Sequence, residues 1–168
     1  TRGVPAIGGF EFEQNVPWIS AIHTNFHVGV DGLSFWLVLL TTFIMPISVL
    51  CAWTAVEKKK TAFYASLLLL ESAMLGVFVT LDLLVFYLFF EASLIPMFLL
   101  IGVWGGKNRI YAAVKFFIFT AVGSFLMLVA IIALYYIYAG AMNGTGSFDF
   151  VEILAAMQSG KLVLGSEA

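Results

Sequence analysis

The chain has 168 residues, 62% of them apolar, 16% aromatic and 11% charged, the profile of a lipid-embedded protein rather than of a small water-soluble domain. Its formal net charge of −2 is too small to argue for nucleic acid, and no basic cluster alternates with aromatics as a single-strand-binding surface requires. A single cysteine, Cys51 in an apolar run, excludes an intrachain disulfide and a multi-cysteine metal or iron–sulfur site.

Thr1 opens the chain, and no basic region with a short apolar core and a small-residue cleavage site precedes the first hydrophobic run. At the other end an apolar stretch begins at Lys161 and stops at Ala168 without a polar tail, so the whole reads as an internal piece of a longer polytopic chain. Residues 1–32 contain glycines, Pro5, Pro17, His23 and His27 with no sustained period, and are expected to form an extramembrane loop. His23 and His27 have i, i+4 spacing, but a metal site needs further ligands and the surroundings read as loop.

Spanning the hydrocarbon core takes about 20 apolar residues, and four segments reach that length: Leu33–Trp53, Ala62–Leu81, Leu83–Trp104 and Tyr111–Tyr138. They predict an all-α fold, a polytopic transmembrane helix bundle of about four helices over residues 33–138. The joining turns are short, so neighbouring helices are antiparallel. Lys58, Lys59 and Lys60 fall on the same side as Lys107 and Arg109, whereas the Asp82 turn has no Lys or Arg; the two basic turns are therefore expected to face the cytoplasm or matrix. Residues 139–168 are expected on the opposite face with the amino-terminal stretch, and to hold a short surface helix at 147–158. There Ser147 suits a cap and Asp149 a first turn.

Glu91 stands out because it is a charge about 12 Å into an otherwise apolar span. Such a charge costs on the order of 2.5–3.5 kcal/mol on insertion scales and usually marks function. Burial raises a carboxyl pKa and a nearby cation lowers it, so a buried Glu beside a movable positive charge can act as a proton relay. The bland alternative is a protonated or hydrogen-bonded group that ties helices together. Pro96 removes a backbone donor and leaves the carbonyl of Ala92 without its helical partner, next to Glu91. Glu71 is a second intramembrane acid, as suited to a structural tie as to a relay, in a helix where Ser72 and Gly76 form a small-x-x-x-small pair. Lys115, near the basic end of the fourth span, can snorkel to headgroups; facing inward, it would ionise Glu91 or Glu71. P-loop, dinucleotide and nucleophile-elbow motifs are absent from the sequence.

Three strings carry a resemblance: Val30-Asp-Gly-Leu-Ser-Phe35; Gly76-Val-Phe-Val-Thr-Leu-Asp82 running into Phe89-Phe-Glu-Ala-Ser-Leu-Ile-Pro-Met97; and Ala113-Val-Lys-Phe-Phe-Ile-Phe-Thr120. With Ile101-Gly-Val-Trp-Gly-Gly they resemble, over residues 16–160, the antiporter-like subunit M or chain 4 of proton-pumping NADH:quinone oxidoreductase, respiratory complex I. The resemblance implies that the spans are the third to sixth helices of a larger antiporter-like fold, with Glu91 on the fifth-helix glutamate used in proton translocation and Glu71 as a supporting acid. Lys115 resembles a sixth-helix lysine, not the broken-helix lysine that modulates the glutamate.

It further implies no cofactor on this chain, with NADH, FMN, iron–sulfur clusters and quinone on partner subunits. Its partners would be other membrane-arm subunits of complex I, the lipid bilayer and protons, with no nucleic acid. The location would be the bacterial plasma (inner) membrane, or the mitochondrial inner membrane. The rival functions are a subunit of a multisubunit sodium/proton antiporter and a non-transporting membrane scaffold.

Overall fold

The computed structural model describes residues 10–19, 23–142 and 144–162. The expectations for residues 1–9 and 20–22, and for the apolar stretch from 163 to 168, lie outside the described residues.

Four long helices form where the apolar runs predict them, to within a turn at each end: α1 (Gly32–Ala55), α2 (Lys60–Val79), α3 (Leu83–Trp104) and α4 (Arg109–Ala141). Each is long and apolar enough to cross a bilayer, where a helix is favoured because it satisfies its own backbone. Hydroxyls within the spans also bond back to their own helix: Thr41, Ser66, Ser72 and Thr120 donate to carbonyls one turn earlier at 2.8–2.9 Å.

Aspartates start the helices. Asp31 accepts from the Ser34 N–H at 2.6 Å, and Asp82 accepts from Leu84 and Val85 at 2.9 and 3.1 Å. These carboxylates satisfy amides that have no intrahelical partner. A short helix α5 (Phe150–Gln158) follows the spans, and Asp149 caps it through Val151 and Glu152. Ser147, expected as the cap, instead accepts from the Asp149 N–H at 3.1 Å. A carboxylate has more acceptor capacity than a hydroxyl, and Asp149 stands closer to the free amides.

The loop expected at residues 1–32 is corrected over its described part. Glu11–Ile19 (β1) and Thr24–Val30 (β2) pair as an antiparallel hairpin, with Asn15 opposite His27 and Val16 opposite Phe26. The register breaks between Glu11 and Gln14 and again between Pro17 and Ile19, which is why no alternation shows in the sequence. The hairpin sits on the α2–α3 turn: the Leu81 N–H donates to the His27 carbonyl at 2.8 Å. From the other side, Phe150 donates to the Leu81 carbonyl and Leu83 to the Phe148 carbonyl, both at 2.9 Å.

At the opposite end the indole of Trp104 donates to the Lys58 carbonyl at 2.9 Å and packs edge-on against Phe63. Both basic turns therefore share one end of the bundle. Helices α2 and α3 meet where Gly76 lies so near the Phe89 ring that a Cβ would overlap it. The buried stripe on α2 is Ser66, Ala73 and Gly76, while Ser72 is exposed. Of the expected Ser72–Gly76 pair, Gly76 packs against α3 within this chain, whereas Ser72, one turn earlier on the same side of α2, is exposed. Helices α3 and α4 meet through Phe98 and Phe117, whose ring centroids are 5.6 Å apart.

Candidate functional site

Glu91 is half-buried near the middle of α3. Tyr87, one turn earlier on the same helix, has Glu91 and the Ser124 hydroxyl of α4 as its polar neighbours. Ser124 is buried, and its own hydroxyl donates to the Ala121 carbonyl at 3.0 Å. A carboxyl, a phenol and a hydroxyl are thus gathered between two apolar helices, each able to accept a proton or pass one on. Pro96 is buried, and α3 runs through it to Trp104. Tyr87 was not singled out from the sequence; its signal is the i−4 spacing from Glu91.

Glu71 is half-buried on α2. Counting from the Gly76–Phe89 contact along antiparallel helices places Glu71 level with Leu94, about one turn or about 5 Å along the axis from Glu91. The two acids lie at similar depth. Lys115 does not join them. Counting from Phe98–Phe117 sets Glu91 level with Ser124, and Lys115 lies about 13 Å from that level. Its side chain is exposed, with the ammonium 5.8 Å from the Tyr111 ring centre. Among the described residues both ion pairs involve His27, so none links Lys115 to either glutamate.

A second polar cluster lies at the hairpin end. His27 places Nδ1 2.6 Å from Asp149 Oδ2 and Nε2 2.8 Å from Glu13 Oε1. Asp82 is buried alongside, paired through its backbone with Asp149 and accepting from the Asn25 N–H at 3.2 Å. Burial pushes the Asp82 carboxyl above its usual range, outweighing the N–H groups of Val85, Asn25 and Leu84 that pull it down; Asp149 adds to the rise. Sequence spacing carries no signal for a cluster whose members are up to 136 residues apart, from Glu13 to Asp149. Among the described residues, no group of three or more His, Cys, Asp or Glu side chains is placed to hold a metal ion.

Residues 80–166 match the family described as "NADH:quinone oxidoreductase/Mrp antiporter, TM". The chain is 52% identical over 148 residues to NADH-quinone oxidoreductase subunit M of Rhodobacter capsulatus, covering 87% of this chain and 28% of that protein. It is 41% identical over 150 residues to F(420)H(2) dehydrogenase subunit M of Methanosarcina mazei, covering 88% of this chain and 30% of that one. Among solved structures it is similar to a chain of respiratory complex I from Thermus thermophilus with bound NADH, with a TM-score of 0.71 at 32% identity, covering 93% of this chain and 30% of that chain. The chain thus spans less than a third of the length of each. Four apolar spans, the placing of Glu91 and a family match over more than half the residues lead to one conclusion: this membrane chain belongs to the NADH:quinone oxidoreductase/Mrp antiporter transmembrane family.

Proposed function

We propose that this chain forms part of a proton-translocating membrane subunit driven by electron transfer from NADH to quinone. The observation that carries the reading is the half-buried Glu91 in mid-span, with Tyr87 beside it and Ser124 beside that phenol. Glu91 takes up a proton when a neighbouring charge leaves and releases it when one approaches. Tyr87 neighbours the carboxyl and Ser124 neighbours the phenol, and the two offer the next positions for the proton. Glu71, at similar depth, extends the polar path toward α2. Lys115 tunes the local field from the basic end without touching either acid.

The electron chemistry belongs to partner subunits carrying NADH, FMN, iron–sulfur clusters and quinone. The relative named for F(420)H(2) has a different donor; the higher identity to the NADH-quinone relative favours NADH here. Helix α1 buries none of its residues against the rest of the chain, and its apolar surface is covered by lipid and other membrane-arm subunits.

Glu91→Gln, measured in the assembled complex reconstituted into vesicles, is expected to lower NADH-driven proton uptake several-fold per assembled complex. Unchanged pumping per complex, with assembly alone impaired, would return Glu91 to the role of a tie between helices.

A further inference from the structure

We propose that Glu13, His27 and Asp149 form a proton-binding clasp that locks the β1–β2 hairpin onto α5, at the end of the bundle remote from the basic turns. His27 is 3% exposed and comes from β2, whereas Glu13 belongs to β1 and Asp149 is the cap of α5. Both ring nitrogens face a carboxylate oxygen, Nδ1 at 2.6 Å and Nε2 at 2.8 Å. A neutral imidazole carries a single N–H. Between two ionised carboxylates it would turn one lone pair toward an anion in a buried place, which is costly. Two hydrogen bonds at these distances therefore hold one proton more than a neutral imidazole and two carboxylates. That proton sits on the ring as an imidazolium or on one carboxyl as an O–H.

The surroundings fit such a site. Asp149 uses Oδ1 for the amides of α5 and keeps Oδ2 for the ring. Among the described residues, Asp82 on the α2–α3 turn, Glu152 in the first turn of α5, Tyr138 of α4 and His23 before β2 are titratable groups around it. Among the described residues no Lys or Arg forms an ion pair with these acids, so the clasp's own proton is what offsets their charge. Glu13 is 51% exposed and gives the proton a route to water. A cavity of about 620 Å³ lies between the start of β2 and the first turn of α5, lined by His23, Asn25, Tyr138 and Glu152. Loss of the proton removes one of the two hydrogen bonds and sets a ring lone pair against a carboxylate, so the clasp loosens. This proposal is independent of the role of Glu91.

Hydrogen–deuterium exchange of the assembled complex from about pH 5 to about pH 9, corrected for intrinsic exchange, tests it. Protection of the β2 and α5 amides is expected to fall about tenfold or more as pH rises, the size of one charge-assisted hydrogen bond. In Glu13→Gln the side-chain amide can either accept from Nε2–H or donate to a bare Nε2. That variant is expected to keep the hairpin protected and to lose the pH step, and His27→Gln to lose the step with weaker protection. A wild-type profile without a step, a Glu13→Gln profile that retains it, or a hairpin unprotected at every pH in Glu13→Gln would overturn the clasp.

Discussion

Asp31, Asp82 and Asp149 each turn a carboxylate toward the first free amides of a helix, yet the settings of Asp31 and Asp82 give opposite responses to acid. Hydrogen bonds from the Ser34 side chain and backbone hold the Asp31 carboxyl below its ordinary 3.8. Its contribution to stability is therefore present above that value and lost as pH falls through the lowered one. Asp82 runs the other way because burial outweighs its amide partners. The folded state holds the Asp82 proton more tightly, so this contribution is lost as pH rises from 3.8 through the raised value. Asp82→Asn removes that titration, and thermal unfolding in detergent across the window is expected to show a flatter midpoint–pH curve; an unchanged slope would assign the dependence elsewhere. At Glu91 the neighbouring phenol is the test. Tyr87→Phe keeps the ring and removes the hydroxyl, and is expected to reduce proton uptake partially while assembly and NADH oxidation stay near wild type.

Between elements, closeness is set by small residues. Gly76 admits the Phe89 ring where any Cβ would collide, so α2 and α3 meet at a backbone-to-ring contact. Gly76→Val is expected to cost about 1–3 kcal/mol through overpacking, read as a lower thermal midpoint, and Phe89→Ala in the same chain should recover part of it. The contact also sets the register that brings Glu71 and Glu91 to similar depth. The hairpin is held differently. Its main-chain bond from Leu81 to His27 and the bonds from Phe150 and Leu83 tie three segments into one backbone network. The sequence of β1 hides this because its register breaks at two places, and period 2 does not survive a bulge.

At the scale of the whole molecule, two ends of unlike character follow from the antiparallel bundle. One carries Lys58, Lys59, Lys60, Lys107 and Arg109 joined through Trp104; the other carries the aspartate caps, the hairpin and α5. The positive-inside rule then places them on opposite faces of the membrane. Single cysteines at the exposed positions Lys107 and Thr145, introduced after replacing Cys51, are expected to react with a membrane-impermeant thiol reagent from opposite sides of sealed vesicles. Labelling of both from one side would overturn this topology.

The four spans, their order and the intramembrane acids were legible in the sequence because lipid imposes a rule on composition. A helix must be apolar for about 20 residues, and a charge within it is conspicuous by its cost. The depth shared by Glu71 and Glu91, the separation of Lys115 from both, and the approach of Ser124 to Tyr87 depend on how neighbouring helices slide and rotate. Single apolar runs leave that slide and rotation free, and contacts such as Gly76 on Phe89 settle them. The meeting of Glu13, His27 and Asp149 was decided by tertiary structure alone. Hydrogen bonding between carboxyl and imidazole acts over about 3 Å in space, and linear spacing holds no record of which distant chain segments come that near.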